Sequence, residues 1–440
     1  MCKRRAMSLR KLGGDRATEV RFGRFLANED VTTEELIEGM LEKSNEIAAG
    51  EHILAIQDTT EINHSHHEDN VMGLGTVGNG KDCGFFLHPM LLIEAKGVGC
   101  LGLGAVTWWN RTKKKSPDYQ KLPIEEKESI RWLDTAEATK KNLPSASMIT
   151  IIADRESDIY EEWCRIPDAR THLLTRACRD RSLDNGQRLF AYTDSLAVQG
   201  FYEIEVSAQA ANTKKKKPKR TKHKAKLEVS YGAVEILKPG KCTDKKAPEK
   251  VILNIVNVKE SPETVVKGEA PIEWRLLTTH AVDSFAKACE IIQWYCRRWN
   301  IEQLFRVLKQ QGFQVESSQL TTAAGLIKLT LIALRAAVQT IQLTLARKGE
   351  ISRPASDAFE LDEIELLEKL QPELEGKTEK QKNHYKKFSL AWAAWTIARL
   401  GGWQGYVSER PPGPIAMISG QKEFASMFRG WRLFRNVCIR

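Results

Sequence analysis

The chain has 440 residues, of which 42% are hydrophobic and 28% are charged. This length and balance are typical of a folded protein with a large core and two or three domains, and they exclude a largely disordered chain. The net charge of +10 favours a polyanionic partner, most often a nucleic acid. The sequence predicts no membrane-spanning helix and no membrane partner, because no window approaches about 18 uninterrupted apolar residues.

Nine cysteines are scattered singly along the chain and form no CxxC pair. This usage is typical of reduced thiols and predicts a cytoplasmic protein. The basic first residues, MCKRRAMSLRK, have no apolar stretch behind them, which argues against a secretory signal.

The N-terminal third is predicted to contain helices and then strands. Residues 15–47 have a threonine cap and acidic residues before apolar positions at helical spacing, which predicts helices. The apolar runs 52–58, 84–95 and 100–109 predict three strands. The Gly- and Asn-rich segment between the first two runs predicts a loop.

The next segment alternates between helix and strand. The pattern predicts a helix over 123–143, a strand over 148–154, a helix over 155–166 and a strand over 171–177. This order indicates a mixed α/β layer fold.

From residue 178 to 272 the pattern changes to alternating apolar and polar residues, as in FYEIEVSAQ and KVILNIVNV. This alternation predicts an antiparallel β unit. The cationic tract 212–226 lies within it and is interpreted either as a solvated hairpin tip or as a loop that follows phosphates.

The C-terminal part is predicted to begin with a strand over 271–279. A long helix is then predicted from Asp283 to Gly312, followed by an apolar buried helix over 325–349 and further helices to the end of the chain.

Two predicted strands each end in an aspartate, Asp58 in IQD and Asp154 in IIAD. A carboxylate at the end of a central strand lies at the rim of an α/β sheet, where ligands bind. Taken alone, each aspartate is better explained as a cap of a turn or helix, and Asp154 stands at the start of a predicted helix.

The predicted helix 283–312 carries Tyr295, Arg298, Glu302 and Lys309 at spacings of three, four and seven. On one α-helix these positions form a single stripe. An Arg298–Glu302 ion pair on a solvated face contributes only about 0.3–0.5 kcal/mol and leaves the tyrosine and the lysine unexplained.

A metal site explains the combination of Tyr295, Arg298, Glu302 and Lys309 better than a surface ion pair does. Three carboxylates brought together repel one another unless a cation joins them, and Mg²⁺ prefers such hard oxygen ligands. Two such ions about 3.5–4 Å apart stabilise both the attacking and the leaving oxygen of a phosphodiester. Asp58, Asp154 and Glu302 are therefore the candidate metal ligands, and the neighbouring bases are candidates for contacts with phosphates.

The run HSHHE at 64–68 lacks the helical HExxH spacing of a zinc site and lies in a Gly-rich segment. It is expected to consist of solvent-exposed imidazoles.

Three blocks, IQDTT, IIADRESDIY and YCRRWNIEQLFRVLK, resemble those of the DDE transposases of bacterial insertion sequences, in particular the Tn-five-like (IS-four) group. The Y-x2-R-x3-E-x6-K signature of that group stands here as Tyr295, Arg298, Glu302 and Lys309. The resemblance implies an α/β fold with a ribonuclease-H-like catalytic core, an inserted antiparallel β subdomain and a C-terminal helical region.

The resemblance also implies an activity. Such enzymes carry out cut-and-paste transposition, in which metal-dependent nicking, hairpin formation and strand transfer follow one another at the element ends. The implied cofactor is Mg²⁺, for which Mn²⁺ can substitute, with two ions per site held by Asp58, Asp154 and Glu302. The implied partners are double-stranded DNA at the transposon ends, target DNA and a second copy of the chain on that DNA, in the nucleoid of a bacterial cytoplasm.

Residue by residue, the resemblance assigns DNA contacts to Tyr295, Arg298, Lys309, Trp274 and Arg176. Trp274 matches an aromatic residue that holds a flipped-out base near the hairpin, and aromatic stacking offsets much of the cost of unstacking. A tryptophan packed in the core at the start of a strand is the alternative.

The implied domains are a short helical remnant of the end-binding domain over 1–47, the core over 48–177 and 273–346, the β insertion over 178–272 and a helical dimerisation region over 347–440. Family members usually carry several dozen more residues ahead of EVRFGRFLANEDV. An alternative function is therefore an N-terminally truncated derivative that dimerises with a full-length transposase and inhibits it.

Overall fold

The structure is a computed structural model that describes residues 8–65, 73–78, 80–111, 119–209, 220–406 and 410–438. The chain forms two compact units. The first comprises Met1–Lys114, Ala138–Ser147 and Trp299–Arg440, and the second comprises Lys115–Glu137 and Met148–Arg298. The resemblance implies four domains, of which the core consists of two segments, and their boundaries stay a prediction.

In chain order, the helices and strands of the described residues are α1 (Leu9–Gly13), α2 (Arg16–Ala27), α3 (Thr33–Ile47), β1 (His52–Gln57), β2 (Thr60–Asn63), β3 (Gly75–Val77), β4 (Asp82–Glu94), β5 (Cys100–Trp109), α4 (Ile130–Asn142), β6 (Met148–Ala153), α5 (Tyr160–Arg165), β7 (Thr171–Arg176), α6 (Leu189–Ser195), β8 (Gly200–Val206), β9 (His223–Leu237), β10 (Lys250–Glu260), β11 (Glu273–Thr278), α7 (Phe285–Cys296), α8 (Trp299–Arg306), α9 (Ala323–Ala346), α10 (Leu361–Leu374), α11 (Leu390–Leu400) and α12 (Pro414–Cys438). A mixed α/β fold is therefore confirmed, whereas the ribonuclease-H-like core stays a prediction.

The N-terminal helices begin where local capping signals predict. The side chain of Thr32 accepts a hydrogen bond from the N–H of Glu35, and the Glu35 carboxylate accepts one from the N–H of Thr32, so that α3 begins with a capping box. Asp15 caps α2 by accepting from the N–H of Thr18 at 2.8 Å. The predicted helices over 15–47 are confirmed.

The central strand of the first unit is β4, which pairs antiparallel with β1, β2, β3 and β5. Two of its partners, β2 and β3, lie in the segment that the sequence predicts to be a loop, and that prediction is wrong there. Glycine and asparagine are uncommon in strands, so the composition of the segment does not indicate them. Strands of only four and three residues nevertheless form there, because β4 is long enough to pair with both.

The ladder between β4 and its neighbours β1 and β2 is interrupted at one place. Gln57 pairs with Met90 and Thr60 pairs with Leu87, and this common register leaves Asp58 and Thr59 opposite Pro89 and His88. Proline has no N–H to donate, so a break in pairing beside it is expected. Asp58 therefore stands where the backbone leaves the sheet.

The second unit is built on a mixed sheet. Strands β6 and β7 are parallel, and β7, β11, β10, β9 and β8 follow in antiparallel order. The long pairing of β9 with β10 confirms the antiparallel unit that the alternating pattern predicts. Residues 212–219 of the cationic tract lie outside the described residues, whereas its last residues belong to β9, which pairs antiparallel with β8.

Helix α9 is the core helix of the first unit. Among the described residues it is the one helix long and apolar enough by composition to span a membrane, yet 72% of its most apolar stretch is buried inside the protein. A buried core helix of a folded unit has this same composition.

The long helix predicted over 283–312 is not continuous. Helix α7 ends at Cys296, Arg297 and Arg298 form a turn, and α8 then continues into a single π-helical turn over Val307–Gln311. The segment CRRWN places polar and charged residues where the next apolar positions of the helix would fall, and the buried positions resume only at Ile301. The single α-helical stripe from Tyr295 to Lys309 is therefore wrong.

Two other predicted helices are shorter than expected. Helix α4 begins at Ile130 instead of residue 123, because a 3₁₀ turn over Ile124–Glu126 ends at Lys127 in extended conformation. Helix α5 is likewise preceded by a separate 3₁₀ turn over Arg155–Ser157.

A buried ion pair fixes the segment after β6. Asp158 is fully buried and accepts hydrogen bonds from the N–H groups of Cys178 at 2.8 Å and Arg179 at 2.9 Å. Its other oxygen accepts from Nε of Arg181 at 2.9 Å, and the Arg181 guanidinium stacks on Trp163 at 4.6 Å. The pair therefore ties the segment after Asp154 to the segment after β7.

Removing one partner of this pair leaves a buried charge without its counterion. We expect Arg181→Met to lower the free energy of unfolding by about 3–5 kcal/mol, measured by urea denaturation followed by circular dichroism. Lys387→Met is the control, since Lys387 and Glu368 form an ion pair in which both side chains are exposed. Equal unfolding midpoints for the two variants would contradict a structural role for the buried pair.

Candidate functional site

Asp154 lies directly after β6 and is half-buried. Its Oδ1 accepts the N–H of Glu156 at 2.8 Å and caps the 3₁₀ turn over Arg155–Ser157. The capping role considered from the sequence is therefore real. It engages Oδ1, so a metal-ligand role for Oδ2 is compatible with it.

Tyr295 is the meeting point of several predicted site residues. It stands near the end of α7 and is only 6% exposed. Burial raises the pKa of its phenol, Arg298 and Arg176 lower that pKa, and the Asp154 carboxylate raises it again. The structure therefore brings Asp154, Arg176 and Arg298 together around one buried phenol.

Trp274 and Arg176 line one pocket of about 300 Å³ in the second unit. Nη2 of Arg176 donates to the carbonyl oxygen of Glu273 at 2.8 Å, which fixes the guanidinium beside the strand that carries Trp274. The indole meets the Tyr295 ring edge-on, with centroids 5.4 Å apart. Trp274 is half-buried and lines a pocket, so the alternative of a tryptophan enclosed in the core does not describe it.

The same pocket contains two arginines that the sequence analysis did not single out, Arg220 and Arg275. Arg275 forms ion pairs with Asp194 and Glu273, both at 2.7 Å, so its charge is largely neutralised. Arg220 donates from Nη1 to the carbonyl oxygen of Ala270 at 2.7 Å. Its position inside the cationic tract was visible in the sequence, but its place beside Trp274 depends on the pairing of β9, β10 and β11.

In the first unit, Asp58 is half-buried at the break in the β4 ladder, and its Oδ1 accepts the N–H of Thr59 at 2.8 Å. Glu302 is half-buried in the first turn of α8, which is anchored by the buried Ile301 and Leu304. Both acids are thus held by elements that pack into the core of the unit.

Lys309 is held by the segment that follows Asp58. Its Nζ donates to the carbonyl oxygen of Glu61 at 2.6 Å and forms an ion pair with Glu316 at 2.8 Å. Glu316 also accepts the N–H of Asn63 at 3.1 Å. No sequence pattern singles out Glu316, because only the fold brings it beside β2. Its carboxylate offsets part of the charge expected to meet a phosphate.

The predicted carboxylates belong to different units, Asp58 and Glu302 to the first and Asp154 to the second. Within the described ranges, no group of three or more His, Cys, Asp or Glu side chains is arranged to hold a metal ion. The three-carboxylate metal site therefore stays a prediction.

The run HSHHE differs from expectation at its first residue. His64 is fully buried and stacks on Phe85, with ring centroids 6.3 Å apart, so the expectation of a solvent-exposed imidazole is wrong there. The short strand β2 carries the chain into the core just before this residue. His66 and His67 lie outside the described residues.

Comparison with protein families finds that residues 132–338 match the family model described as "Transposase DDE domain". The matched range contains Asp154, Glu302 and Lys309 but not Asp58. Residues 132–338 are therefore similar to a transposase DDE domain, whereas the insertion-sequence subgroup and the bacterial origin stay predictions.

Among solved structures, the chain is similar to the "Cryo-EM structure of piggyBac transposase synaptic complex with hairpin DNA (SNHP)", with a TM-score of 0.34 and 8% sequence identity. The similarity covers 73% of this chain and 60% of that one. A likeness this distant supports no inference about the present chain.

The environment of Tyr295 predicts its titration. Because burial raises its pKa, the phenol should lose its proton above the ordinary value of about 10. Tyrosine labelled with ¹³C at Cζ reports this by NMR, and comparison with Tyr295→Phe assigns the resonance. A midpoint at or below pH 10 would contradict the buried site described above.

Proposed function

We propose that this chain is a DDE transposase that cuts and joins DNA at the ends of a mobile element. The proposal starts from the match of residues 132–338 to the transposase DDE domain. The observation that carries it is the grouping of Asp154, Arg176, Arg298 and Trp274 around Tyr295. A carboxylate beside cationic and aromatic side chains suits the binding and cleavage of a phosphodiester chain.

Asp58, Asp154 and Glu302 are proposed as the metal ligands. Their carboxylates provide the hard oxygen donors that Mg²⁺ and Mn²⁺ prefer. Asp58 and Asp154 each have one oxygen held by a backbone N–H, so the orientation of each side chain is set by the fold. When bound, two such ions supply the charge that stabilises the attacking and leaving oxygens of the phosphodiester.

The basic residues are proposed to hold the DNA backbone. Arg176 and Arg298, which both act on the Tyr295 phenol, are proposed to bind phosphates next to the one that reacts. Because its pKa is raised, Tyr295 remains a neutral phenol that can donate a hydrogen bond to a phosphate oxygen. Lys309 is a further phosphate contact in this proposal, once a phosphate competes with Glu316 for its ammonium group.

The pocket beside Trp274 is proposed to receive a base extruded during hairpin formation. Its volume of about 300 Å³ reaches the lower end of the range for small-ligand pockets, about 300–1,000 Å³. The indole provides a stacking surface, and Arg176 and Arg220 bring positive charge to the pocket for the adjoining phosphates.

The remaining details of the proposal follow from the resemblance. They are a ribonuclease-H-like core, the Tn-five-like (IS-four) group, cut-and-paste chemistry through nicking, hairpin formation and strand transfer, and a bacterial cytoplasmic location. Each of these steps is an in-line displacement at phosphorus, so one set of carboxylates can serve all of them.

The catalytic assignment is tested by cleavage of labelled DNA that carries the element ends, in the presence of Mg²⁺. We expect Asp58→Asn, Asp154→Asn and Glu302→Gln each to slow cleavage by at least about a thousandfold, because each loses a carboxylate on which the metals depend. Glu156→Gln is the matched control, since Glu156 lies two residues from Asp154 and forms an ion pair with Arg131.

Cleavage by Asp154→Asn at the rate of Glu156→Gln would contradict the assignment. DNA binding without cleavage by the wild type, together with inhibition of a full-length transposase, would support the alternative function of an inhibitory derivative.

The role of Trp274 is tested at the hairpin step. Loss of base stacking costs about 1–3 kcal/mol, so Trp274→Ala should slow hairpin formation by about five- to 150-fold while first-strand nicking is retained. Trp274→Phe keeps a stacking ring and should retain most of the rate. Equal slowing of nicking and hairpin formation would place Trp274 outside the hairpin step.

Helix α12 is proposed as a self-association surface for a homodimer on DNA. One face of the helix packs on a buried apolar cluster of the first unit through Phe428 and Trp431 and is tied to α10 by an ion pair between Arg435 and Glu365 at 2.8 Å. Leu433 and Phe434 lie on the same helix and are both 68% exposed to solvent. Neighbouring large apolar side chains exposed to this degree are typical of an interface.

The double variant Leu433→Asp/Phe434→Asp should weaken self-association on DNA by about tenfold or more, because apolar anchors dominate interface energetics. Sedimentation velocity with end DNA measures the effect, and Lys422→Asp, an exposed position on the same helix, is the control. An unchanged dimer in the double variant would exclude this surface.

A further inference from the structure

A buried histidine holds both neighbours of Asp58. Nε2 of His88 lies 3.2 Å from Oε1 of Gln57, and Nδ1 of the same ring lies 2.9 Å from the Thr59 hydroxyl. His88 and Gln57 are both fully buried. One imidazole on β4 therefore contacts the residues immediately before and after Asp58, the proposed metal ligand.

The contacts fix the role of one ring nitrogen. An amide oxygen only accepts hydrogen bonds, so Nε2 of His88 carries a hydrogen and donates to Gln57. The Thr59 hydroxyl can either donate to Nδ1 or accept from it, so it pairs with the ring in either protonation state. One imidazole thus satisfies two different partners, and neither leucine nor phenylalanine could replace it.

The position of His88 within β4 explains why these two contacts matter. The ladder of β4 with β1 and β2 is interrupted at Asp58 and Thr59, opposite Pro89 and His88. The side chain of His88 spans the same interruption and contacts the residues on both sides of Asp58. The proline that breaks the ladder and the histidine that bridges it are adjacent in the sequence.

We propose that His88 is a positioning residue that orients the Asp58 carboxylate for metal binding through Gln57 and Thr59. The inference rests on the proposed metal-ligand role of Asp58. It assigns to His88 no contact with DNA or with the reacting atoms. Residues that orient metal ligands in this way commonly contribute about 10- to 100-fold to metal affinity or activity.

The test measures Mn²⁺ affinity of the DNA-free protein by electron paramagnetic resonance, so that its readout does not depend on catalysis. We expect His88→Leu to weaken Mn²⁺ binding by about 10- to 100-fold, and His88→Gln, which retains a donor toward Gln57, to recover part of the loss. The matched control is His172→Leu, which removes a half-buried imidazole from the second unit. The Kd for end DNA should stay unchanged in all three variants.

Thr59→Val provides a milder variant in case His88→Leu does not fold, since it removes one of the two contacts with little change in shape. It should weaken Mn²⁺ binding severalfold and raise the Mn²⁺ concentration required for half-maximal cleavage.

Two negative results are distinguishable. If Asp58→Asn lowers Mn²⁺ affinity but the His88 and Thr59 variants bind Mn²⁺ as the wild type does, the inference is wrong and the proposed function stands. If Asp58→Asn itself binds Mn²⁺ as the wild type does, the metal-ligand role of Asp58 is wrong and the inference is overturned with it.

Discussion

Backbone hydrogen bonding determines where the two candidate aspartates lie in this protein. A buried strand satisfies its N–H and C=O groups through its neighbours, and both aspartates lie where that pairing stops. Asp58 follows β1 at the interruption beside Pro89, and Asp154 follows β6 at a 3₁₀ turn that it caps. In both cases the strand end supplies one N–H that orients the carboxylate.

The basic residues fall into two groups according to the groups that bind them. Arg275 and Lys309 are engaged by acidic side chains, and Arg181 is buried against Asp158, so these charges serve the fold first. Arg176 and Arg220 are instead held by backbone carbonyl oxygens beside the Trp274 pocket. A carbonyl orients a guanidinium without neutralising it, although the Glu269 carboxylate lies close enough to Arg220 for the two charges to interact. The net charge of the chain alone could not distinguish these two groups.

The sequence predicted the features that depend on local signals. Capping at Thr32, the apolar runs of β1 and β6 and the alternation in β9 and β10 are determined within a few residues, and the structure confirms them. The helix break at Arg298 was not predicted. The spacing from Tyr295 to Lys309 forms a single stripe only if the helix is already assumed to be continuous.

Non-local features were beyond reach of the sequence. The pairing of β2 with β4, the ion pair between Lys309 and Glu316 and the burial of His64 all depend on which distant segments meet. The grouping around Tyr295 was only partly predictable. The signature supplies Tyr295 and Arg298, whereas the approach of Arg176 and Trp274 requires β7 and β11 to pair.

The central proposal is that Asp58, Asp154 and Glu302 share one set of metal ions. Replacing Mg²⁺ with Fe²⁺ in the presence of ascorbate and peroxide generates hydroxyl radicals at the metal, and these cut the polypeptide close to its ligands. The account predicts fragments from cuts near residues 58, 154 and 302 together, all suppressed by excess Mg²⁺ and all lost in Asp154→Asn. Cuts confined to one of the three positions, or cuts near 58 and 302 that persist in Asp154→Asn, would contradict a shared site.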